Sequence, residues 1–375
     1  MNKAYKYRLY PNPEQAALIN KTFGCVRFVY NQMLADRISV YEQYKDNKDE
    51  LKNQKYKLPA DFKKEYPWLK EVDSLALANA QLNLRRAFAN FCKDKKVEFP
   101  KFKSKHRSRK SYTTNNQNGT IRLIDNKTIR LPKLKDIKIK LHRPLPQGAV
   151  IKSATISRTP TNEYYIAILL EYEAEIIPVK PTIETVVGLD YSSGSLFVDN
   201  KGESPDYPKF YRKTESKLKK EQRKLSRRKQ GGSNCEKQRQ KVARLHKKVA
   251  NQRKGFLHNL SRQITNAYDA VGVEDINMRS MAQCLNLAKS TNDNGFGMLR
   301  DFLAYKLSEQ GKQLVVIDKW YPSSKTCYPC KSINHDLKLS DRVWICPECG
   351  AILERDLNAA CNIQYEACRT LGLIS

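Results

Sequence analysis

The chain has 375 residues, with 69 Lys plus Arg against 39 Asp plus Glu, for a formal net charge of +30. Self-repulsion of that size is tolerated where a polyanion offsets it, so nucleic acid is the expected partner, and no apolar run approaches the ~20 residues of a membrane span, which excludes a helical membrane protein. The length exceeds one compact core and implies two or three domains, while an opening with no apolar signal segment places the ten cysteines in a reducing cytosol, where metal or burial is favoured over disulfides.

Lys3 to Tyr10 alternates like a strand and stops at Pro11-Asn12-Pro13. Helical spacing follows from Pro13 through Leu34 and again from Ser74 through Phe91, so residues 12–96 read as a helical unit with a solvated connection from Tyr41 to Lys57. From Phe99 a basic stretch carries Lys101, Lys103, Lys105, Arg107, Arg109 and Lys110, which are candidate phosphate contacts. Tyr112 follows, able either to stack on a base or to sit in a core. Short alternating runs at 121–123, 128–131, 137–141, 151–157 and 164–172 predict a small barrel or sheet. If the opening strand pairs into it, the helical unit is an insertion, giving a first domain of residues 1–11 and 97–180.

Val186 to Val198 predicts two strands joined at Ser192-Ser193-Gly194-Ser195. Between Lys209 and Lys254 stand nineteen Lys or Arg and three Glu, with Leu218 and Leu225, and Val242 and Val249, spaced seven apart. That is a helical hairpin with a thin apolar seam and an excess charge of one sign, so Arg223, Arg227, Arg228 and Arg244 are candidate phosphate contacts. A helix over Phe256–Tyr268, a buried strand at Ala270–Glu274, a helix over Phe296–Gln310 and a strand at Gln313–Ile317 predict a mixed α/β sheet.

Cys327-Tyr-Pro-Cys330 and Cys346-Pro-Glu-Cys349 have the paired spacing of a zinc ribbon. Four thiolates leave no open coordination position, so the ion is expected to be structural. Cys25, Cys92, Cys235, Cys284, Cys361 and Cys368 lack such pairing and are expected to be buried or inert. In so basic a chain, carboxylates within apolar settings need a reason. Asp190 ends Val186-Val187-Gly188-Leu189, Glu274 ends Val271-Gly272-Val273, and Asp356 opens the helical run from Leu357 to Ile363. Three converging acids offer the hard oxygen ligands that two Mg²⁺ ions require in phosphodiester hydrolysis. Asp275, Glu354 and Asp199 are the nearest rivals.

These segments together resemble the TnpB proteins, which are related to type V CRISPR effectors. The resemblance is carried by the opening Tyr7-Arg8-Leu9-Tyr10-Pro11, by Gly188-Leu189-Asp190 and Val273-Glu274-Asp275-Ile276, by the cysteine ribbon, and by Glu354-Arg355-Asp356-Leu357-Asn358-Ala359-Ala360. It implies a multidomain α+β and α/β chain. A wedge-type β-barrel is interrupted by a helical recognition unit and followed by a RuvC-like, ribonuclease-H-like nuclease domain over 181–375, with the ribbon inserted at 323–352. It also implies that Asp190, Glu274 and Asp356 are catalytic metal ligands, and that the partners are a transposon-derived guide RNA and double-stranded target DNA beside a short flanking motif. One protein per RNA in a prokaryotic cytoplasm is expected. Leu353-Glu354 stands where many members carry His-Asp, a departure that removes no ligand. A nuclease-silent, guide-dependent repressor and an RNA-independent transposition accessory protein are the alternatives.

Overall fold

The computed structural model describes residues 1–284, 288–338 and 340–374. It divides into two compact units, Met1–Ala174 and Glu175–Ser375. The segment that follows Ala174 lies against the second unit. Val179 N donates to Gly311 O at 2.8 Å, and Gly311, at φ +71°, faces Ile177 O so closely that an added Cβ would lie 2.0 Å from it.

In the first unit, β1 (Asn2–Tyr10) leads into α1 (Pro13–Tyr44), α2 (Lys48–Asn53), α3 (Pro59–Glu65) and α4 (Ser74–Lys93). Strands β2 (Ser111–Asn115), β3 (Arg122–Asp125), β4 (Thr128–Leu131), β5 (Lys135–Lys140), β6 (Val150–Arg158) and β7 (Tyr164–Glu171) follow. All seven strands form one sheet in the order β2-β6-β7-β1-β5-β4-β3. β1 lies between β7 and β5, antiparallel to both, with Asn2 opposite Glu171 and Leu9 opposite Ile139. The helices are thus inserted between β1 and its sheet. Asn12 caps α1 by accepting from Gln15 N at 2.8 Å while Gln15 Oε1 accepts from Asn12 N, a reciprocal capping box. α1 runs through Tyr41 to Tyr44 and α2 occupies part of the segment predicted as a solvated connection.

The second unit contains β8 (Val186–Ser192), β9 (Leu196–Asp199), α5 (Phe210–Ser226), α6 (Ser233–Ala267), β10 (Ala270–Glu274), α7 (Met278–Cys284), α8 (Ala288–Asn294), α9 (Phe296–Glu309), β11 (Gln313–Ile317), β12 (Val343–Ile345), β13 (Ile352–Glu354) and α10 (Arg355–Thr370). The second hairpin arm and the separately predicted Phe256–Tyr268 helix are one 35-residue helix. A glycine in a helix costs only ~1 kcal/mol, and beyond Gly255 the helix is held by burial of Leu257 and Ile264. The main sheet has the order β11-β10-β8-β9, with β8, β10 and β11 parallel and β9 antiparallel. Val187, Leu189, Val271 and Val273 pack with α6 and α9, while Val186, Ala270 and Val315 pack with Ala367 and Cys368 of α10. Helices therefore cover both faces, which explains the nearly continuous apolar character of β8 and β10.

Candidate functional site

Asp190 and Glu274 follow directly on the paired residues Leu189 and Val273 of adjacent parallel strands, so they stand side by side at one end of the sheet. α10 brings Asp356 to the same end by lying directly on the strands. Gly188 and Gly272 are opposite each other, and an added Cβ on Gly188 would meet Ala360 O at 2.2 Å and Gln364 N at 2.5 Å, while one on Gly272 would meet Ala367 Cβ at 2.9 Å. Only a sheet bare of side chains at those two positions admits the helix backbone so closely. Burial pushes the Asp190 carboxyl well above the ordinary carboxylate range; the charges of Glu274 and of Asp356 push it the same way, and Arg355 opposes them. Glu274 is also raised by burial, against a hydrogen bond from Ser323. A carboxyl disfavoured in its ionised form by burial and by two neighbouring acids lies in a site with too little positive charge of its own.

Further residues shape this centre. The Ser323 hydroxyl donates to Glu274 Oε1. Arg355 Nη2 lies 2.8 Å from Asp356 Oδ1, and Arg342 Nη1 lies 3.1 Å from its Oδ2. Asn358 and Asn362, one turn apart on α10, donate to Thr326 O at 2.7 and 2.6 Å, and Asn362 also donates to Ser323 O at 2.9 Å. The motif around Asp356 was legible in the sequence, but no role for these residues was, although the four-residue spacing of the two asparagines placed them on one helix face. Two of the rival acids are otherwise engaged: Asp275 pairs with Arg300 at 3.4 Å, and Asp199 accepts Lys201 N and Glu203 N within its own turn; Glu354 stands at the N-cap position of α10, where its side chain makes no capping hydrogen bond.

The four ribbon cysteines converge, their sulfur atoms all within 4.8 Å of one another. Cys327 and Cys349 Sγ are 3.6 Å apart, as are Cys330 and Cys346 Sγ. A tetrahedral zinc site with Zn–S near ~2.3 Å has S···S edges of about 3.8 Å, so the cluster fits such an ion. The hairpin of β12 and β13 and buried Trp344 and Leu337 back it. A hydrogen bond with Ser332 holds the Cys346 thiol down to about 6, whereas burial raises that of Cys327, so it is the convergence of the four sulfur atoms that argues for the metal. Of the remaining cysteines, Cys25 and Cys368 are buried and Cys235 and Cys361 half-buried. Cys92 is exposed. The Cys284 side chain lies outside the described residues.

The basic candidates divide by environment. Lys105, Arg107, Arg109 and Lys110 are exposed on a turn in which Ser104 Oγ accepts His106 N and Arg107 N. Exposed Lys101 pairs with Glu98. Lys103 is not an open phosphate contact: it is half-buried with its ammonium 3.8 Å from the Tyr30 ring centroid, and burial lowers its pKa. Tyr112 belongs to the core. It is 5% exposed and tilted against Phe23, so it has no free face for a base. A groove of about 340 Å³ beside it is lined by Arg27, Asn79, Asn83, Lys105 and Arg109. In the second unit, α5 and α6 bury Leu218, Val242 and Val249 between them, and Gln238 Nε2 donates to Glu221 Oε2 at 2.7 Å. Arg223, Arg227, Arg228 and Arg244 are all exposed.

Comparison with known proteins gives the fold first. A Cas12f1 chain from a cryo-EM structure of a Cas12f1-sgRNA-target DNA complex superposes with a TM-score of 0.60 over 97% of this chain and 98% of that one, at 13% identity. Family models match as a probable transposase of the IS605 OrfB type over residues 168–285, its helix-turn-helix domain over 1–46, and a Cas12f1-like TNB domain over 296–363. A Streptomyces pristinaespiralis protein named "Putative RNA-guided DNA endonuclease" is 37% identical over 97% of this chain and 89% of its own length. The Escherichia coli K12 protein of that name, InsQ, is 28% identical over 96% of this chain and 91% of its own. This is a chain of Cas12f1-like fold and mixed α/β content. It belongs to the TnpB family. No helix among the described residues is long and apolar enough to cross a membrane.

Proposed function

We propose that this protein is an RNA-guided DNA endonuclease that hydrolyses phosphodiester bonds with two Mg²⁺ ions held by Asp190, Glu274 and Asp356. The observation that carries the reading is the position of Asp190, a desolvated carboxyl pressed by the charges of two other acids. Such a group is costly to ionise until divalent charge neutralises the cluster. Bound there, the ions supply an activated water and a stabilised leaving oxygen for in-line displacement. The protein's own share is positional: β8 and β10 fix Asp190 and Glu274, α10 fixes Asp356, Ser323 orients the Glu274 carboxylate, and Arg355 and Arg342 hold Asp356.

In this reading residues 1–11 and 97–180 form the wedge-type barrel, 12–96 the recognition insertion and 181–375 the RuvC-like domain with a zinc ribbon at 323–352. A transposon-derived guide RNA reads the target by base pairing, and the exposed Lys105, Arg107, Arg109, Lys110 and hairpin arginines hold backbone phosphates without reading sequence. One protein acts with one RNA beside a short flanking motif, in a prokaryotic cytoplasm. Purification followed by sequencing of the bound RNA, then incubation with Mg²⁺ and a DNA carrying the matching sequence, tests it. A discrete RNA and guide-dependent cutting that Asp190→Ala abolishes are expected. Recovery of no discrete RNA, or undiminished cutting by that variant, overturns the assignment.

A further inference from the structure

The helical insertion carries a second hollow that the nuclease reading leaves unused. Arg37 and Tyr41 of α1, Tyr56, Phe91 and Cys92 of α4's last turns, and Phe99 surround about 560 Å³ of open space. Tyr41 is 54%, Phe99 44% and Phe91 38% exposed, although the edge-to-face contacts of Phe99 with Phe88 and Phe91, at 5.5 and 5.4 Å, fix the rings in place. The Arg37 guanidinium lies 4.8 Å from the ring centroids of both Tyr56 and Phe88, a planar cation among aromatic faces. Six lysines stand between residues 93 and 105 against Asp94 and Glu98, and Lys93, Lys95, Lys96 and Lys101 among them are exposed.

We propose that this hollow captures one unpaired nucleobase of a bound RNA strand. The base stacks on the tyrosine and phenylalanine faces, and its neighbouring phosphates are met by the exposed lysines of the segment that runs from Cys92 to Phe99 and beyond. Aromatic faces accept any base, arginine planes stack on bases as well, and pockets of this size and lining suit a nucleoside. The charge selects the occupant. The one acid in the lining, Glu42, pairs with Lys45, and the lysine-rich segment after Cys92 on a chain of net charge +30 repels a second copy of itself and attracts a polyanion. The inference rests on the proposed function in taking RNA as the ligand and adds a place where a nucleotide outside any duplex is held.

The test uses the full-length protein with a single-stranded oligonucleotide carrying 4-thiouridine and, for comparison, a blunt RNA duplex of equal length. Irradiation and peptide mapping are expected to place crosslinks at Tyr41, Tyr56, Phe91 or Phe99, and the single strand is expected to slow alkylation of Cys92. The Tyr41→Ala/Tyr56→Ala double variant should weaken single-strand binding on the order of tenfold and leave duplex binding unchanged. Crosslinks found only elsewhere, Cys92 alkylation indifferent to RNA, or equal loss for both probes overturns the pocket. A variant that changes the sedimentation of the protein but not its RNA affinity assigns the face to a second copy and overturns it too. Should the wild-type chain bind neither probe, the RNA-guided reading falls with it, whereas wild-type binding with an indifferent variant rejects the pocket alone.

Discussion

Asp190 is surrounded by apolar strand residues and by two further acids, and its chemistry is separable from the fold. Asp190→Asn keeps shape and hydrogen-bonding capacity while removing the repulsion among the carboxyls. Cleavage should be lost, RNA binding should persist, and the metal-free protein should melt about 2–4 °C higher by scanning calorimetry. Added Mg²⁺ should raise the melting temperature of the wild type and leave that of the variant where it was; equal Mg²⁺ shifts in both would remove Asp190 from the metal site. Gly188 gives the opposite case, in which a methyl group damages the scaffold. An added Cβ meets backbone atoms of α10 at 2.2 and 2.5 Å, which cannot rotate away as a side chain end could. Gly188→Ala is expected to cost about 1–3 kcal/mol in urea unfolding and to displace Asp356. Gly272→Ala, whose nearest contact is the Ala367 methyl at 2.9 Å, should cost less.

The elements of the second unit are held by polar pins as well as by apolar packing. Lys306 of α9 is 3% exposed; its ammonium donates to His258 O at 2.6 Å and Ser261 Oγ at 2.7 Å on α6. Burial, ahead of the nearby Arg262 charge, lowers its pKa from the ordinary 10.5 to about 8. Between those two values the unfolded chain binds the proton more tightly than the folded one, so this residue's contribution to stability rises from about pH 8 towards 10.5 and is lost as pH falls through the folded value. Lys306→Met should flatten that part of the stability-against-pH curve in urea titrations; an unchanged slope would show that the ammonium is not desolvated. The Phe302 ring stacked on His258 at 3.9 Å belongs to the same α6–α9 contact. Nothing in the spacing of the sequence singled out Lys306, because a lysine on a helix is ordinarily solvated and only the three-dimensional neighbourhood shows otherwise. The ribbon, by contrast, was legible from two Cys-x-x-Cys pairs alone. Replacing Cys327 and Cys346 by Ser should release zinc, read by elemental analysis, and loosen Thr326 and Ser323, whose carbonyls receive Asn358 and Asn362; retained zinc stoichiometry would contradict the cluster.

At the scale of the molecule, charge and order of elements decide most of what can be read in advance. The opening strand, the strand runs up to Glu171 and the apolar β8 and β10 follow from periodicity and from breakers such as Pro11-Asn12-Pro13. Helix continuity across Gly255 does not, since a single glycine gives too weak a stop signal to decide it. Tyr112 illustrates the limit for contacts: the basic residues around it suggest a ligand, but burial against Phe23 is a property of α1 and β2 meeting. The excess of positive charge on α5 and α6 should govern how salt affects nucleic-acid affinity. Changing Arg223, Arg227, Arg228 and Arg244 to Gln should reduce the log–log salt slope by roughly 0.7–0.9 for each arginine that neutralises a phosphate, and an unaltered slope would place the polyanion elsewhere.

β1 lies in the middle of its sheet, yet the strand it pairs with from end to end, β7, is made about 160 residues later. A ribosome adding ~5–20 residues per second exposes Asn2–Tyr10 on the order of ten seconds or more before Tyr164–Glu171 can emerge. Until β5 and then β7 emerge, the edges of the newborn strand are open to neighbouring nascent chains, and Lys3, Lys6 and Arg8 along it are like charges that keep identical chains apart.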